Sequence, residues 1–184
     1  LEKVTQRLNL AEQNKIYLDR AKCRKEAIQK YFWHEEIGLY TDYLFKEDRR
    51  STSQNAASLY PLFLGIAPKE KAQRVAENIA QKFLKNGGII TTTIESGQQW
   101  DSPNAWAPYQ WLGYVAMQNY DMLELAEKIK NNWCTNVERI YRNSSKLMEK
   151  YNAIDTQSIA GGGEYPNQDG FGWTNGVYIK LKQL

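Results

Sequence analysis

The sequence is poor in the side chains that serve nucleophilic and metal chemistry. It has one histidine, His34, and two cysteines, Cys23 and Cys134, in 184 residues. A single imidazole excludes a histidine-rich zinc site. It falls in the charged run His34-Glu35-Glu36 and reads as a surface residue, which leaves hydrolytic chemistry to carboxylates. Two cysteines exclude a disulfide scaffold and do not fix a redox compartment. The longest apolar run, Leu59 to Ala67, is nine residues, against the ~20 a membrane-spanning helix needs. Charge of one sign is also lacking. The 24 basic and 21 acidic residues interleave to a net +3, without the basic stripe that marks a nucleic-acid partner. With 42% hydrophobic and 24% charged residues the composition is neither disordered nor fibrous. The length suits one domain with a proper core.

What is there in excess is aromatic: 6 Trp and 12 Tyr, with the tryptophans clustered outside the helical stretches. Those stretches dominate the pattern. Leu1, Val4, Leu8 and Ala11 make one stripe, already in register at the first residue, so the chain reads as a piece of a longer one. Tyr17, Ala21, Ile28 and Phe32 make a second. Val75, Ala76, Ile79, Ala80, Phe83 and Leu84 form an apolar face opened by Pro68 and closed by Asn86-Gly87-Gly88. The run from Met122 through Leu125, Ala126, Ile129, Trp133 and Val137 to Ile140 forms the longest. Shorter helices are expected at about 55–66, 107–119 and 174–183, and a short strand within Gly88 to Thr93. The fold class is all-α.

Connections near Asn14, Ala67 and Tyr120 are one to three residues long, whereas those at about 34–54, 86–106 and 144–173 are long. Helices joined by short loops lie antiparallel. Every second connection therefore emerges at one end, and an array of about seven helices is expected to carry all its long, Trp- and Gly-rich loops on one rim. Loops on a rigid scaffold are where function concentrates.

Three loops hold the polar chemistry. Phe32 to Phe45 (FWHEEIGLYTDYLF) sets Trp33, Tyr40 and Tyr43 beside Asp42. Ser96 to Pro108 (SGQQWDSPNAWAP) packs Gln98, Gln99, Asp101 and Asn104 between Trp100 and Trp106. Glu149 to Gly176 carries Gly161-Gly162-Gly163 followed by Glu164-Tyr165-Pro166 and Gln168-Asp169. The glycine run has no following Lys-Ser/Thr, so it is not a phosphate loop. Aromatic faces beside acids and amides suit a sugar, and glycoside hydrolysis needs two carboxyl groups. Composition offers Asp42, Asp101, Glu149, Glu164 and Asp169 without choosing among them.

At these loops the sequence resembles a known family. QQWDSPNAWAP (Gln98 to Pro108) resembles a trehalase signature, and GGGEYPNQDGFGWTNGV (Gly161 to Val177) is similar to the Gly-rich C-terminal segment of the same enzymes. LMEKYN, Leu147 to Asn152, resembles the segment before it. The family is α,α-trehalase, glycoside hydrolase family 37. The resemblance implies an (α/α)6 toroid of twelve helices, of which residues 1–184 would supply about half as the C-terminal part of the catalytic domain. It implies an inverting hydrolysis of trehalose without a cofactor or metal. It assigns Glu149 as general base, Glu164 to the sugar pocket, and Gln99, Trp100, Asp101 and Trp106 to the pocket wall.

The sequence departs from the family at Ala105, where Gly is usual, and in a glycine run three long. The general-acid Asp belongs to the N-terminal half of the family, so this chain alone is expected to be inactive. Its expected partners are trehalose and the missing N-terminal half, with self-association through the open edge, and neither nucleic acid nor membrane. The alternative is a non-catalytic sugar-binding or helical interaction module.

Overall fold

The computed structural model describes residues 1–163 and 165–184. Seven α-helices follow in order: α1 (Glu2–Arg7), α2 (Ala11–Ala27), α3 (Tyr60–Phe63), α4 (Lys69–Asn78), α5 (Ala107–Asn119), α6 (Leu123–Ser144) and α7 (Gly172–Lys182). Eight strands of two or three residues lie between them and form four antiparallel pairs: β1 (Trp33–His34) with β2 (Leu39–Tyr40), β3 (Tyr43–Leu44) with β4 (Arg49–Arg50), β5 (Leu84–Lys85) with β6 (Gly88–Ile89), and β7 (Asn104–Trp106) with β8 (Lys150–Asn152). The molecule is all-α with short ladders only in its long connections.

Helix α5 is the centre of packing. Its first turn holds Pro108, whose missing N–H costs nothing there. Ala107, Gln110, Leu112, Gly113, Tyr114, Ala116 and Met117 are buried, so the helix is covered on several sides, by α3, α6 and α7. The 3.6-residue periodicity of α4 and α6 does what the sequence predicts. Ala72, Val75 and Ala76 of α4, with Ile79 and Phe83 in the turn that continues it, and Ala126, Ile129, Trp133, Val137 and Ile140 of α6 are buried. Each large apolar side chain so removed from water contributes about 1.5–3 kcal/mol before chain entropy is set against it.

Both α2 and α4 end in a π-helical turn, Ile28–Phe32 and Ile79–Phe83, that runs straight into a hairpin, β1–β2 and β5–β6. The local sequences, Ile-Gln-Lys-Tyr-Phe-Trp and Ile-Ala-Gln-Lys-Phe-Leu, are alike. The same helix exit is thus used twice.

The long connections are laced together. The Ala56 N–H donates to the Thr91 carbonyl at 2.8 Å, and Asn55 bridges Thr92. Gly87 N–H donates to the Ala153 carbonyl at 2.8 Å, and β7 pairs with β8 so that Trp106 faces Lys150. These bonds join 86–106 to 144–173, and join both to the Asn55-Ala56 pair that follows the first long connection. The short turns at Ala67 and Tyr120 meet, where Tyr120 Oη donates to the Ala67 carbonyl at 2.7 Å and Asn119 Nδ2 to that of Phe63 at 2.9 Å.

Three expectations need correction. The helix expected over 55–66 is a 3-10 turn, Ala56–Leu59, capped by the Asn55 side chain, followed by the single turn α3. The stripes of α1 and α2 are not core. Leu1, Val4, Leu8, Ile16 and Leu18 are exposed, only Thr5 of α1 is buried, and no residue of α2 is. In α2 the charged residues run round every face, so Tyr17, Ala21 and Leu18 never gather enough apolar width to seat the helix. The ladders other than β6 carry no sequence signal, because two residues cannot display a period of two.

Candidate active site

The β7–β8 ladder builds the site. It brings the end of the Gln98–Pro108 motif against the Glu149-Lys150 pair, with Trp106 and Lys150 as register partners. The flanks of Glu149 are then fixed from the other side. Its N–H donates to the Gln168 carbonyl at 2.8 Å, and its own carbonyl accepts from Trp173 Nε1 at 3.0 Å. Thr174 Oγ1 donates to the Met148 carbonyl at 2.7 Å, so the first turn of α7 grips the segment that leads into β8.

The Gly-rich segment folds onto the tryptophan loop. Gly163 N–H donates to the Gly97 carbonyl at 2.9 Å, and Asn104 Nδ2 donates to the carbonyls of Gln99 (3.1 Å) and Gly161 (2.7 Å). Gly162 and Gly163 have φ of +82° and +87°. A Cβ at Gly162 would stand 2.7 Å from the Gly97 carbonyl oxygen, and one at Gly163 2.5 Å from Gln99 Cβ. Glycine is required here for backbone conformation and for close approach together.

The structure separates four of the five candidate carboxylates. Glu149 is 3% exposed and is the one buried acid among the described residues. Its Oε1 accepts from Tyr165 Oη at 3.0 Å, while Oε2 has no hydrogen-bond partner among the described residues. Asp101 is spent within its own loop: Oδ1 accepts from Thr92 Oγ1 at 2.8 Å and Oδ2 from Ser96 Oγ. Asp169 forms an ion pair with Lys146 at the surface. Asp42 is exposed and lines a separate cavity of about 280 Å³ with Tyr40, Thr41, Asn55 and Tyr60. Glu164 lies outside the described residues.

The aromatic residues form a stack. The rings of Trp100 and Trp106 lie 3.9 Å apart and 7° from parallel, and Trp173 meets Trp106 edge-on at 5.5 Å. Trp106 is 1% exposed, whereas Trp100, 42% exposed, closes the stack with one face toward solvent. Trp106 Nε1 donates to the Gln99 carbonyl at 3.2 Å, which fixes the indole plane.

Two residues that the sequence reading passed over belong to this arrangement. Tyr165 supplies the hydroxyl on Glu149. Lys150 is fully buried, and its Nζ lies 3.3 Å from both Gln99 Oε1 and the Gly162 carbonyl oxygen. Burial pushes the lysine pKa down, opposed by the nearby charge of Glu149. The sequence carried no signal for Lys150: alternation along β8 turns it away from Glu149 and Tyr151, and only the tryptophan loop and the glycine run folded over that face bury it.

Comparison with known proteins bears on what such a site does. The periplasmic trehalase of Escherichia coli strain K12 is 44% identical over 164 residues, covering 89% of this chain and 29% of that protein. The putative periplasmic trehalase of Escherichia coli O157:H7 matches to the same extent. Among solved structures, neutral trehalase Nth1 from Saccharomyces cerevisiae superposes with a TM-score of 0.78 at 29% identity, over 92% of this chain and 30% of that one. A GH63 mannosylglycerate hydrolase from Thermus thermophilus, at 18% identity and a TM-score of 0.67 over 92% of this chain and 40% of that one, shares the fold. The chain spans less than a third of the curated relatives it matches. The family model described as Trehalase matches residues 1–184 throughout, and the chain belongs to the trehalase family.

Proposed function

We propose that this chain forms the base-bearing wall of a site that hydrolyses α,α-trehalose to two glucose molecules with inversion. The observation that carries the reading is Glu149: a buried carboxylate with one oxygen held by Tyr165 and the other without a partner among the described residues. That free oxygen is what a general base needs in order to hold a water. In the proposed reaction the water attacks one anomeric carbon and gives its proton to Glu149. The glycosidic C–O bond breaks, and a general acid protonates the departing oxygen.

Trp100 offers its open face to the sugar ring. Trp106, Gln99 and Asp101 shape the wall behind it, and Glu164 accepts from sugar hydroxyls. The acid is a second carboxyl, about 6.5–9.5 Å from the first in inverting enzymes. The described residues hold no second buried carboxylate. We therefore assign the acid to a partner segment equivalent to the remaining two-thirds of the relatives, docking along the edge that α1 and α2 leave open. The isolated 184-residue chain should then release no glucose at an enzymatic rate.

The test uses a complete trehalase carrying this segment. Glu149→Gln should lower kcat by roughly 10²–10⁴-fold with little change in KM, and remove the acidic limb of the rate profile. Glu164→Gln should lower kcat/KM and keep that limb. Proton NMR of the first turnovers should show equal amounts of α- and β-glucose. A reversal between the two mutants would move the base to Glu164. Trehalose binding by calorimetry, without turnover in the complete protein, would favour a sugar-binding module.

A further inference from the structure

A buried ammonium is costly to desolvate, and Lys150 is one. It is 0% exposed, and no ion pair within 4 Å forms at its Nζ among the described residues. Its neighbours are instead two neutral oxygens, Gln99 Oε1 and the Gly162 carbonyl, each at 3.3 Å. Two ring faces complete the set, Trp106 at 5.4 Å and Tyr165 at 5.2 Å from Nζ to centroid. Its backbone is held as well: the N–H donates to Asn167 Oδ1 at 3.3 Å, and the carbonyl accepts from Asn167 Nδ2 at 3.0 Å.

Those neighbours come from different parts of the site. Gln99 and Trp106 belong to the tryptophan loop, Gly162 to the glycine run, and Tyr165 to the turn that reaches Glu149. One cation therefore touches every segment that must be in register for the Tyr165 hydroxyl to meet the Glu149 carboxylate. Stability alone does not call for it, since an apolar side chain of the same length would fill the space without desolvating a charge. The ammonium does offer direction: three donors, two satisfied by carbonyl-type oxygens and the rest of the charge spread over two π-faces.

Resting on the assignment of Glu149 as base, we propose that Lys150 is a positioning residue, a cationic clamp that locks the Gly-rich loop to the tryptophan loop and thereby fixes Tyr165 on the base. Lys150 touches neither the water nor the bond that breaks. It acts through Gly162, Gln99 and Tyr165. The link has two parts that are separable by experiment: loop docking, which needs the cation, and the hydroxyl on Glu149, which needs Tyr165.

Three variants test it: Lys150→Met, of like length and uncharged, Lys150→Arg, which keeps the charge, and Tyr165→Phe, which keeps the ring beneath the cation and removes the hydroxyl. On this chain, Lys150→Met should leave the melting temperature equal or higher. It should also speed hydrogen exchange at the amides of Gly163 and Glu149, which bond to Gly97 and Gln168. Tyr165→Phe should leave that exchange unchanged.

In a complete trehalase, Lys150→Met should lower kcat about tenfold or more at similar KM and move the acidic limb upward. Tyr165→Phe should move the same limb in the same direction, because each variant deprives Glu149 of the Tyr165 hydroxyl. Lys150→Arg should recover part of the loss. Wild-type loop exchange in folded Lys150→Met, or an unmoved acidic limb in Tyr165→Phe, would overturn the clamp. The Tyr165→Phe arm decides the matter even where Lys150→Met does not fold. If Glu149→Gln keeps full activity, the base assignment fails instead, while the exchange result still reports on the clamp.

Discussion

Replacing Gly163 by alanine, with Gly161→Ala as its control, isolates what the docked glycine loop contributes. Gly163 has φ of +87°, where an L-residue pays about 1–2 kcal/mol. Its new Cβ would also stand 2.5 Å from Gln99 Cβ and 2.9 Å from Gln99 Cγ. Gln99 Cβ sits next to the backbone, and its carbonyl is held by Asn104 and Trp106, so it has little room to withdraw. Overpacking of this kind costs about 1–3 kcal/mol. The sum, about 2–5 kcal/mol, corresponds to a shift of roughly 30- to several thousand-fold from docked to undocked loop. Gly161, two residues earlier, lies outside the left-handed region and would meet no atom within 4 Å. Alanine there should be neutral, or gain about 0.4–1 kcal/mol by stiffening the open chain. Hydrogen exchange read by mass spectrometry over 157–170 distinguishes the two. Gly163→Ala should lose protection at the amide that bonds to Gly97, while Gly161→Ala keeps it. In a complete trehalase, kcat/KM should follow the same order. Equal protection in both variants would mean that the loop is not held by the contact at Gln99, and the account of the site as two zipped loops would be wrong.

The stacked indoles should divide stability from binding. Trp106→Ala, at a buried ring between Trp100 and Trp173, should cost about 3–5 kcal/mol in urea unfolding, whereas Trp100→Ala should cost less than half of that and weaken sugar binding instead. The two cysteines should react at different rates with a thiol reagent at pH 8. Cys23 is exposed, while Cys134 is buried with its pKa pushed up to about 11, so one thiol should titrate at once and the second only after unfolding. Glu138 accepts from Tyr178 Oη at 3.0 Å and pairs with Lys182 at 2.9 Å, joining α6 to α7. Hydrogen bonds from Lys182 and Tyr178 hold its pKa below the ordinary 4.5, so this contribution is present above that value and is lost as the pH falls through the lower, folded one. Glu138→Gln should therefore destabilise the protein at pH 6, by an amount that shrinks as the pH is taken down below 4.5, as followed by thermal melts.

Much of the helical frame was legible because it rests on a single physical signal. The spacing of Val75, Ala76, Ile79 and Phe83, and of Ala126, Ile129, Trp133 and Val137, is that of a helix with one face in a core, and those residues are buried. The same signal misled at α1 and α2, since apolar spacing says that a face exists and not that anything packs on it. The alternation of short and long connections predicted that long loops would meet at one end, and 86–106 and 144–173 do so through β7 and β8 and the bond from Gly87 to Ala153. Register was the part out of reach. Nothing in Trp106 or Lys150 as letters says that they face each other across a two-stranded ladder. For that reason the five carboxylates stood level in the composition, and the four among the described residues are separated by burial and bonding in the fold, where Asp101 is satisfied by Thr92 and Ser96 and Glu149 is not fully satisfied. Lysine is read as solvated by default, so Lys150 stayed invisible until the tryptophan loop and the glycine run folded over it.

The difference between the two ends also sets where the chain can be cut and rejoined. On the rim, main-chain bonds tie Ala56 to Thr91, Gly87 to Ala153 and Gly97 to Gly163, so an insertion into one connection displaces its neighbours and, through them, Glu149. At the opposite end the turn through Asp121 is exposed, already in the left-handed conformation, and tied through the flanking Asn119 and Tyr120. A new pair of termini or a fused reporter domain placed at Asp121 would thus leave the rim's register undisturbed. The helix pairs behave there as modules on a common bar, and grafting from a relative should exchange whole pairs at such turns rather than individual rim loops.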